Sequence, residues 1–150
     1  MTISSNNTFT HDLKVGQAKE NELSKLLQDS TLEVKSDQYT NGRHAIEIKK
    51  FVGGEVKPSG LSATEADYYV LAKSNSMIMV KTDDLKEVIN QIYAENSDKG
   101  VVKRETGLLI IKGLLYMMGD GNRSYCMLVE EEDLMRRLKA LRMAKGVKVI

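Results

Sequence analysis

Apolar residues recur at helical spacing from Val15 to Leu27, with Ala18, Leu23 and Leu26 on the same stripe. This predicts a helix from about Lys14 to Gln28. Residues 1–11 carry no such stripe and are expected to be loosely attached. The period then changes to two. Leu32-Glu33-Val34-Lys35-Ser36-Asp37 alternates, as does Ala45-Ile46-Glu47-Ile48-Lys49, with the turn signal Asn41-Gly42 between them. Thr31 to Lys50 therefore reads as a β-hairpin. A loop rich in Gly, Pro and Ser follows at Gly53–Gly60. Asp67–Ala72 and Met77–Lys81 read as two strands joined near Asn75. Thr82 is placed to cap a helix over Asp83–Glu95, whose apolar face is Leu85, Val88, Ile89 and Ile92. Gly107–Met118 holds one or two further strands and Tyr125–Val129 a short one. An amphipathic helix over Glu131–Ala144 turns Leu134, Leu138 and Leu141 inward. The element order predicts an α/β fold: a mixed β-sheet core flanked by helices, in one domain spanning residues 1–150.

Composition narrows the class. At 150 residues, 41% hydrophobic and 29% charged, the chain has enough apolar material for a core without staples. The single cysteine, Cys126, excludes an internal disulfide and suits a reducing compartment; in its apolar strand it reads as buried and inert. The polar N-terminus does not read as a signal peptide. The apolar run Leu108–Met118 is interrupted by Lys112 and Gly113 and is too short to span a bilayer. The expected location is cytoplasmic, with no membrane partner. Net charge is only +1, but Arg136, Arg137, Lys139, Arg142, Lys145 and Lys148 follow one another with no intervening acid. That tail is either a phosphate-contacting surface, led by Arg136 and Arg137, or a solvated helix face.

Candidate chemistry gathers in the expected hairpin. Glu47 and Lys49 are two apart on one strand and so share a face. That alone is the ordinary pattern of a half-exposed strand. Asp37 changes the picture: opposite Glu47 it would bring two carboxylates together, an arrangement that a divalent cation relieves. Mg²⁺ takes hard oxygen ligands, and the Ile48 carbonyl would add another. The register sets a condition. With a two-residue turn at Asn41-Gly42, Asp37 would pair with Ile46 and face away from Glu47, so the reading needs an odd-numbered loop or bulge within Tyr39–Arg43. Glu20 recurs with Gly16, Leu23 and Leu27 on the helix stripe. An ionisable group there is costly unless paired or bound to a cation, which makes it a further candidate ligand. Glu33-Val34-Lys35 repeats the Glu-x-Lys pattern with the parity of Asp37. As the centre, however, it would need Asp29 as its upstream partner, with no strand between, so Glu47 and Lys49 are preferred. Lys35 is then a phosphate contact. Tyr68 and Tyr69 read as core, Asp67 as structural and His44 as a surface residue; Met117, Met118, Met127 and Met135 read as fillers of core or interface.

Gly16-Gln17-Ala18-Lys19-Glu20, then Asp37, then Glu47-Ile48-Lys49, resembles the PD-(D/E)XK nuclease superfamily. The helix looks like the first helix of archaeal Holliday-junction resolvases. Lys57-Pro58-Ser59-Gly60-Leu61-Ser62-Ala63-Thr64-Glu65-Ala66-Asp67-Tyr68-Tyr69 looks like a stretch of small phage-encoded members. The resemblance spans Gly16 to Leu71, about half the chain, and departs from the pattern in having Ser36 rather than proline before Asp37. It implies a restriction-endonuclease-like fold and a Mg²⁺-dependent DNA endonuclease, with Mn²⁺ able to substitute, acting in phage DNA processing with a preference for particular DNA structures. Asp37, Glu47, Ile48 and Glu20 would hold the metal, and Lys49 would act with them on the attacking water. Two sites for two strands imply a homodimer, with Gly107–Met118 as its interface or as an internal strand. The alternatives are a non-catalytic nucleic-acid-binding module on the same fold, and a small-molecule enzyme or regulator that uses the hairpin only as scaffold.

Overall fold

The computed structural model describes residues 2–37, 41–119 and 121–146, with side chains from residue 9 onward. The chain divides into two compact units, Met1–Thr31 and Leu32–Ile150.

The first unit is one helix, α1 (Thr2–Asp29). It begins at Thr2 rather than near Lys14. No Pro or Gly interrupts residues 2–15, and extending a helix is far cheaper than nucleating one. Its surface carries i,i+4 and i,i+3 pairs, Gln17 with Asn21 and Lys19 with Glu22. Leu13, Val15, Leu23 and Leu27 are exposed.

The second unit holds β1 (Leu32–Ser36), β2 (Arg43–Val52), β3 (Glu55–Pro58), a 3₁₀ turn (Gly60–Ser62), β4 (Tyr68–Ala72), β5 (Met77–Lys81), α2 (Thr82–Asn96), β6 (Val101–Val102), β7 (Leu109–Ile110), β8 (Leu115–Met118), β9 (Ser124–Glu130) and α3 (Glu131–Ala144). This is a mixed α/β architecture with helix-flanked sheets, as the element order predicts. The hairpin of β1 and β2 does not form. β1 instead pairs in parallel with β4, and β4 pairs antiparallel with β5, giving a mixed sheet in the order β1-β4-β5. β2 joins an antiparallel sheet in the order β3-β2-β9-β8. Local alternation identifies strands but not their partners, and the apolar β4 and β9 are the stronger pairing surfaces. Tyr69, Leu71 and Val80 on the first sheet meet Ile46, Ile48, Tyr125 and Met127 on the second, with Leu85, Val88, Ile89 and Ile92 of α2 and Leu134 of α3 closing the core. Full burial of each large apolar side chain contributes about 1.5–3 kcal/mol.

The segment Gly107–Met118 is internal. Leu108, Ile111 and Leu115 are buried, β7 pairs with β6, and β8 pairs with β9. Two local details differ from expectation. Thr82 is the first residue of α2 rather than its cap, and its buried hydroxyl makes no hydrogen bond among the described residues. Met135 is exposed, whereas Met127 lies in the core.

Much of the C-terminal basic run is engaged inside the fold. Arg137 binds Glu95 through two hydrogen bonds (2.6 and 3.0 Å) and also binds Asp133. Lys145 reaches the buried Asp84 at 2.8 Å and Glu87 at 3.5 Å. Arg136 pairs with Asp133 on the surface. Arg137 therefore joins α3 to α2, and this corrects its reading as an exposed phosphate contact. Lys148 lies outside the described residues.

Candidate functional site

Parallel pairing of β1 with β4 sets up the first cluster. Glu33 aligns with Tyr69 and Lys35 with Leu71. Aligned residues share a face, so Glu33 and Lys35 stand on the same face as the core residues of β4 while remaining at the rim on an edge strand. Their side chains, 37% and 45% exposed, form an ion pair at 2.7 Å. An exposed pair of this kind is worth about 0–1 kcal/mol, so it opens at little cost. Glu47 belongs to the same neighbourhood. Burial pushes the Tyr69 hydroxyl well above its usual range, and the charges of Glu33 and then Glu47 push it further. Tyr69 therefore stays a neutral hydroxyl facing the fields of two carboxylates.

Glu47 and Lys49 do not share a face. Glu47 pairs with Cys126 and Lys49 with Tyr125, leaving Ile48 as an extra residue. Cys126 and Tyr125 are consecutive on β9 and point to opposite sides, so this β-bulge sends Lys49 away from Glu47. The two-residue periodicity fails at this position. The Ile48 carbonyl, expected as a metal ligand, accepts the Ser59 amide at 3.2 Å and holds the loop against β2.

Asp37 anchors a second cluster. Its amide donates to the Ala72 carbonyl at 2.8 Å, extending the β1–β4 ladder by one residue. Lys73 Nζ donates to its carboxylate at 3.2 Å; the Lys73 side chain is only 4% exposed and that of Asp37 24%. His44 lies in the fields of both and is buried, which corrects its reading as a surface residue. The His44 Nε2 sits 3.5 Å from Glu131 Oε1 and has no hydrogen-bond partner among the described residues. At that length we treat the contact as electrostatic rather than as a full hydrogen bond. Neither His44 nor Lys73 was singled out by motif. Lys73 carries the parity of Tyr69 and Leu71, and that is the one signal that pointed to it.

Burial lowers the pKa of His44 below its ordinary 6.5. Lys73 acts in the same direction, while Glu131 and Asp37 oppose it. The folded state thus binds this proton more weakly than the unfolded chain. Stability should be flat above 6.5 and fall as pH drops through 6.5 towards the lower folded value. The chain has two histidines, His11 and His44, so their ring resonances are separable by NMR. We expect the His44 midpoint below 6.5 and a matching acid-side loss of stability in wild type that His44→Phe lacks. A midpoint at or above 6.5 contradicts this account of the cluster.

A comparison with family models, curated proteins and solved structures finds no significant match to this chain. Among the described residues no three His, Cys, Asp or Glu side chains gather into a metal-holding group, and none of the helices is long and apolar enough to cross a membrane. Glu20 is an exposed residue of α1, in the N-terminal unit. Glu33 and Glu47 both act on the Tyr69 hydroxyl, and carboxylates are the donor type Mg²⁺ takes, one or two at a time, with water and substrate phosphate completing its shell. Cys126 contributes no nucleophile: burial, then the charge of Glu47, pushes its thiol up to about 12, so it stays protonated at neutral pH.

Proposed function

We propose that this protein is a Mg²⁺-dependent phosphodiester hydrolase acting on DNA, with Glu33, Glu47 and Lys35 as its working groups rather than Asp37, Glu47 and Lys49. One observation carries the reading: the β1–β4 register sets Glu33 beside Tyr69 and Lys35 beside Leu71 on one face, and the charges of Glu33 and Glu47 both bear on the Tyr69 hydroxyl. A carboxylate at the rim of one sheet with a lysine two residues along, and a second carboxylate acting on the same tyrosine, would offer oxygen ligands and a cation to a phosphodiester.

Glu33 and Glu47 would hold the metal, which when bound supplies Lewis acidity at a phosphoryl oxygen and a more acidic water. With Glu33 holding the metal, Lys35 would be free of its ion pair and its ammonium would be available to stabilise charge on the phosphate. Tyr69 keeps its proton and serves as a hydrogen-bond donor at the floor. Arg136 and Lys139, exposed on α3, would supply backbone contacts of the kind that position a duplex without reading its sequence. Asp37 and Lys73 brace the far end of β1 and act on position, not on the reacting atoms. Cutting both strands of a duplex would use two copies of the chain.

The 2.7 Å ion pair between Glu33 and Lys35 favours one rival. A pair that stays closed gives a non-catalytic nucleic-acid-binding module. Incubating supercoiled and branched DNA with the protein in Mg²⁺, Mn²⁺ or EDTA separates the two. Metal-dependent cutting abolished by EDTA supports the hydrolase. Tight, salt-sensitive binding with no cutting in either metal supports the module and refutes the hydrolase.

A further inference from the structure

The bulge that parts Lys49 from Glu47 delivers it to a different place. On the Tyr125 face of β2, Lys49 lines a cavity of about 350 Å³ bounded by α2 and by the turn leading into β7. A volume of that order is at the small end of ligand pockets. The floor is apolar, made by Ile89, Leu108 and the ring of Tyr125. The Tyr125 hydroxyl donates to the Leu109 carbonyl, so the floor turns its apolar ring rather than its polar end to an occupant. The rim is polar: Lys49, Asn90 and the half-exposed ring of Tyr93.

These groups are complementary to one kind of ligand. Tyr93 offers an aromatic face for stacking. Asn90 offers an amide that donates and accepts at once, as the edge of a base requires. Lys49 is the charged side chain among the described residues of the lining, so the anionic part of the ligand must lie at its end. A simple anion would leave the apolar floor wet.

We infer that this cavity binds a nucleoside phosphate, supplied as a single unpaired nucleotide of a nucleic-acid strand. The inference deepens the hydrolase reading and rests on it for the source of the nucleotide. It gives Lys49 a binding role in place of a catalytic one, and it makes DNA with an unpaired position the preferred substrate. Stacking on an aromatic side chain and charge pairing with one lysine act on separate parts of the ligand, so their losses should be separable.

The test uses the full chain in EDTA, so that no cutting occurs, with 2-aminopurine deoxynucleoside 5′-monophosphate as a fluorescent probe. We expect saturable quenching. Tyr93→Leu should weaken binding roughly tenfold or more, as loss of one base stack does. Lys49→Met should weaken the monophosphate yet leave the phosphate-free nucleoside unchanged. Both residues are exposed, so neither variant threatens the fold. An oligonucleotide duplex with 2-aminopurine unpaired should be quenched more than its fully paired counterpart. No saturable quenching, or wild-type binding by both variants, overturns the site. Binding of the free monophosphate with no preference for the unpaired oligonucleotide overturns the strand as its source. Quenching by a protein that cuts nothing refutes the hydrolase and leaves the pocket standing; cutting without any quenching does the reverse.

Discussion

Lys35→Met is expected to lower metal-dependent DNA cleavage roughly 10²–10³-fold, the usual cost of losing one group that stabilises transition-state charge. Lys49→Met should leave kcat within a few-fold of wild type and raise KM instead, because a group that only binds substrate contributes equally to ground and transition states. The hairpin expected from periodicity gives the opposite result, since there Lys49 is the catalytic lysine. The two assignments differ at Ile48. Without the bulge, Glu47 and Lys49 would share a face; with it, Glu47 follows Cys126 and Lys49 follows Tyr125. Stability should not confuse the comparison, because Lys35 loses only an exposed ion pair with Glu33. Glu33→Gln and Glu47→Gln should each raise the Mg²⁺ concentration needed for half-maximal cutting, whereas Lys35→Met should not. Full loss of turnover in Lys49→Met with Lys35→Met unimpaired would return the centre to Glu47 and Lys49.

The sequence revealed elements far better than it revealed their partners. α2, α3 and the β4–β5 hairpin are legible because each is a local pattern: a 3.6 period with Leu85, Val88, Ile89 and Ile92 or Leu134, Leu138 and Leu141, or two apolar runs around Asn75. The partner of β1 is not a local property. Asn41-Gly42 is a sound turn signal, and Glu131 N–H does bond to the Gly42 carbonyl there, yet the chain on either side of it joins different sheets. The site inherits that difficulty. On the sequence Glu33 is set aside as the centre, and Lys35 kept only as a phosphate contact, because the upstream partner would be Asp29 with no strand between. The fold supplies a second carboxylate from β2, a separate sheet. His44 was misread for a related reason. His44 has the parity of the buried Ile46 and Ile48, but the expected strand begins at Ala45 and leaves it outside that pattern, whereas β2 begins at Arg43 and Glu131 of α3 stands 3.5 Å from the ring.

Gly60→Val should be the most destabilising single change in the Lys57–Tyr69 block, at about 3–4 kcal/mol or enough to prevent folding. Two costs combine. Gly60 has φ +51°, in the left-handed region that a β-branched residue resists. A Cβ built there would stand 2.3 Å from the Glu47 carbonyl oxygen and 2.9 Å from the Glu47 Cβ. Backbone, not a flexible side-chain end, fills the space, so the loop itself must retreat. Retreat breaks the Ser59 amide bond to the Ile48 carbonyl and withdraws Leu61, which is fully buried on β2. Moderate overpacking alone costs about 1–3 kcal/mol, and partial loss of a buried leucine adds a comparable amount. Ser59→Ala, beside it, removes a buried hydroxyl that has no hydrogen-bond partner and should be close to neutral or slightly stabilising. Denaturant midpoints for the two variants measure the contrast directly. A Gly60→Val protein within about 1 kcal/mol of wild type would mean that the loop does not rest on Glu47. The same contact bears on the working carboxylate, because Gly60 presses on the backbone from which the Glu47 side chain springs. A milder Gly60→Ala variant that still folds should therefore lose metal affinity along with stability, while Ser59→Ala keeps both.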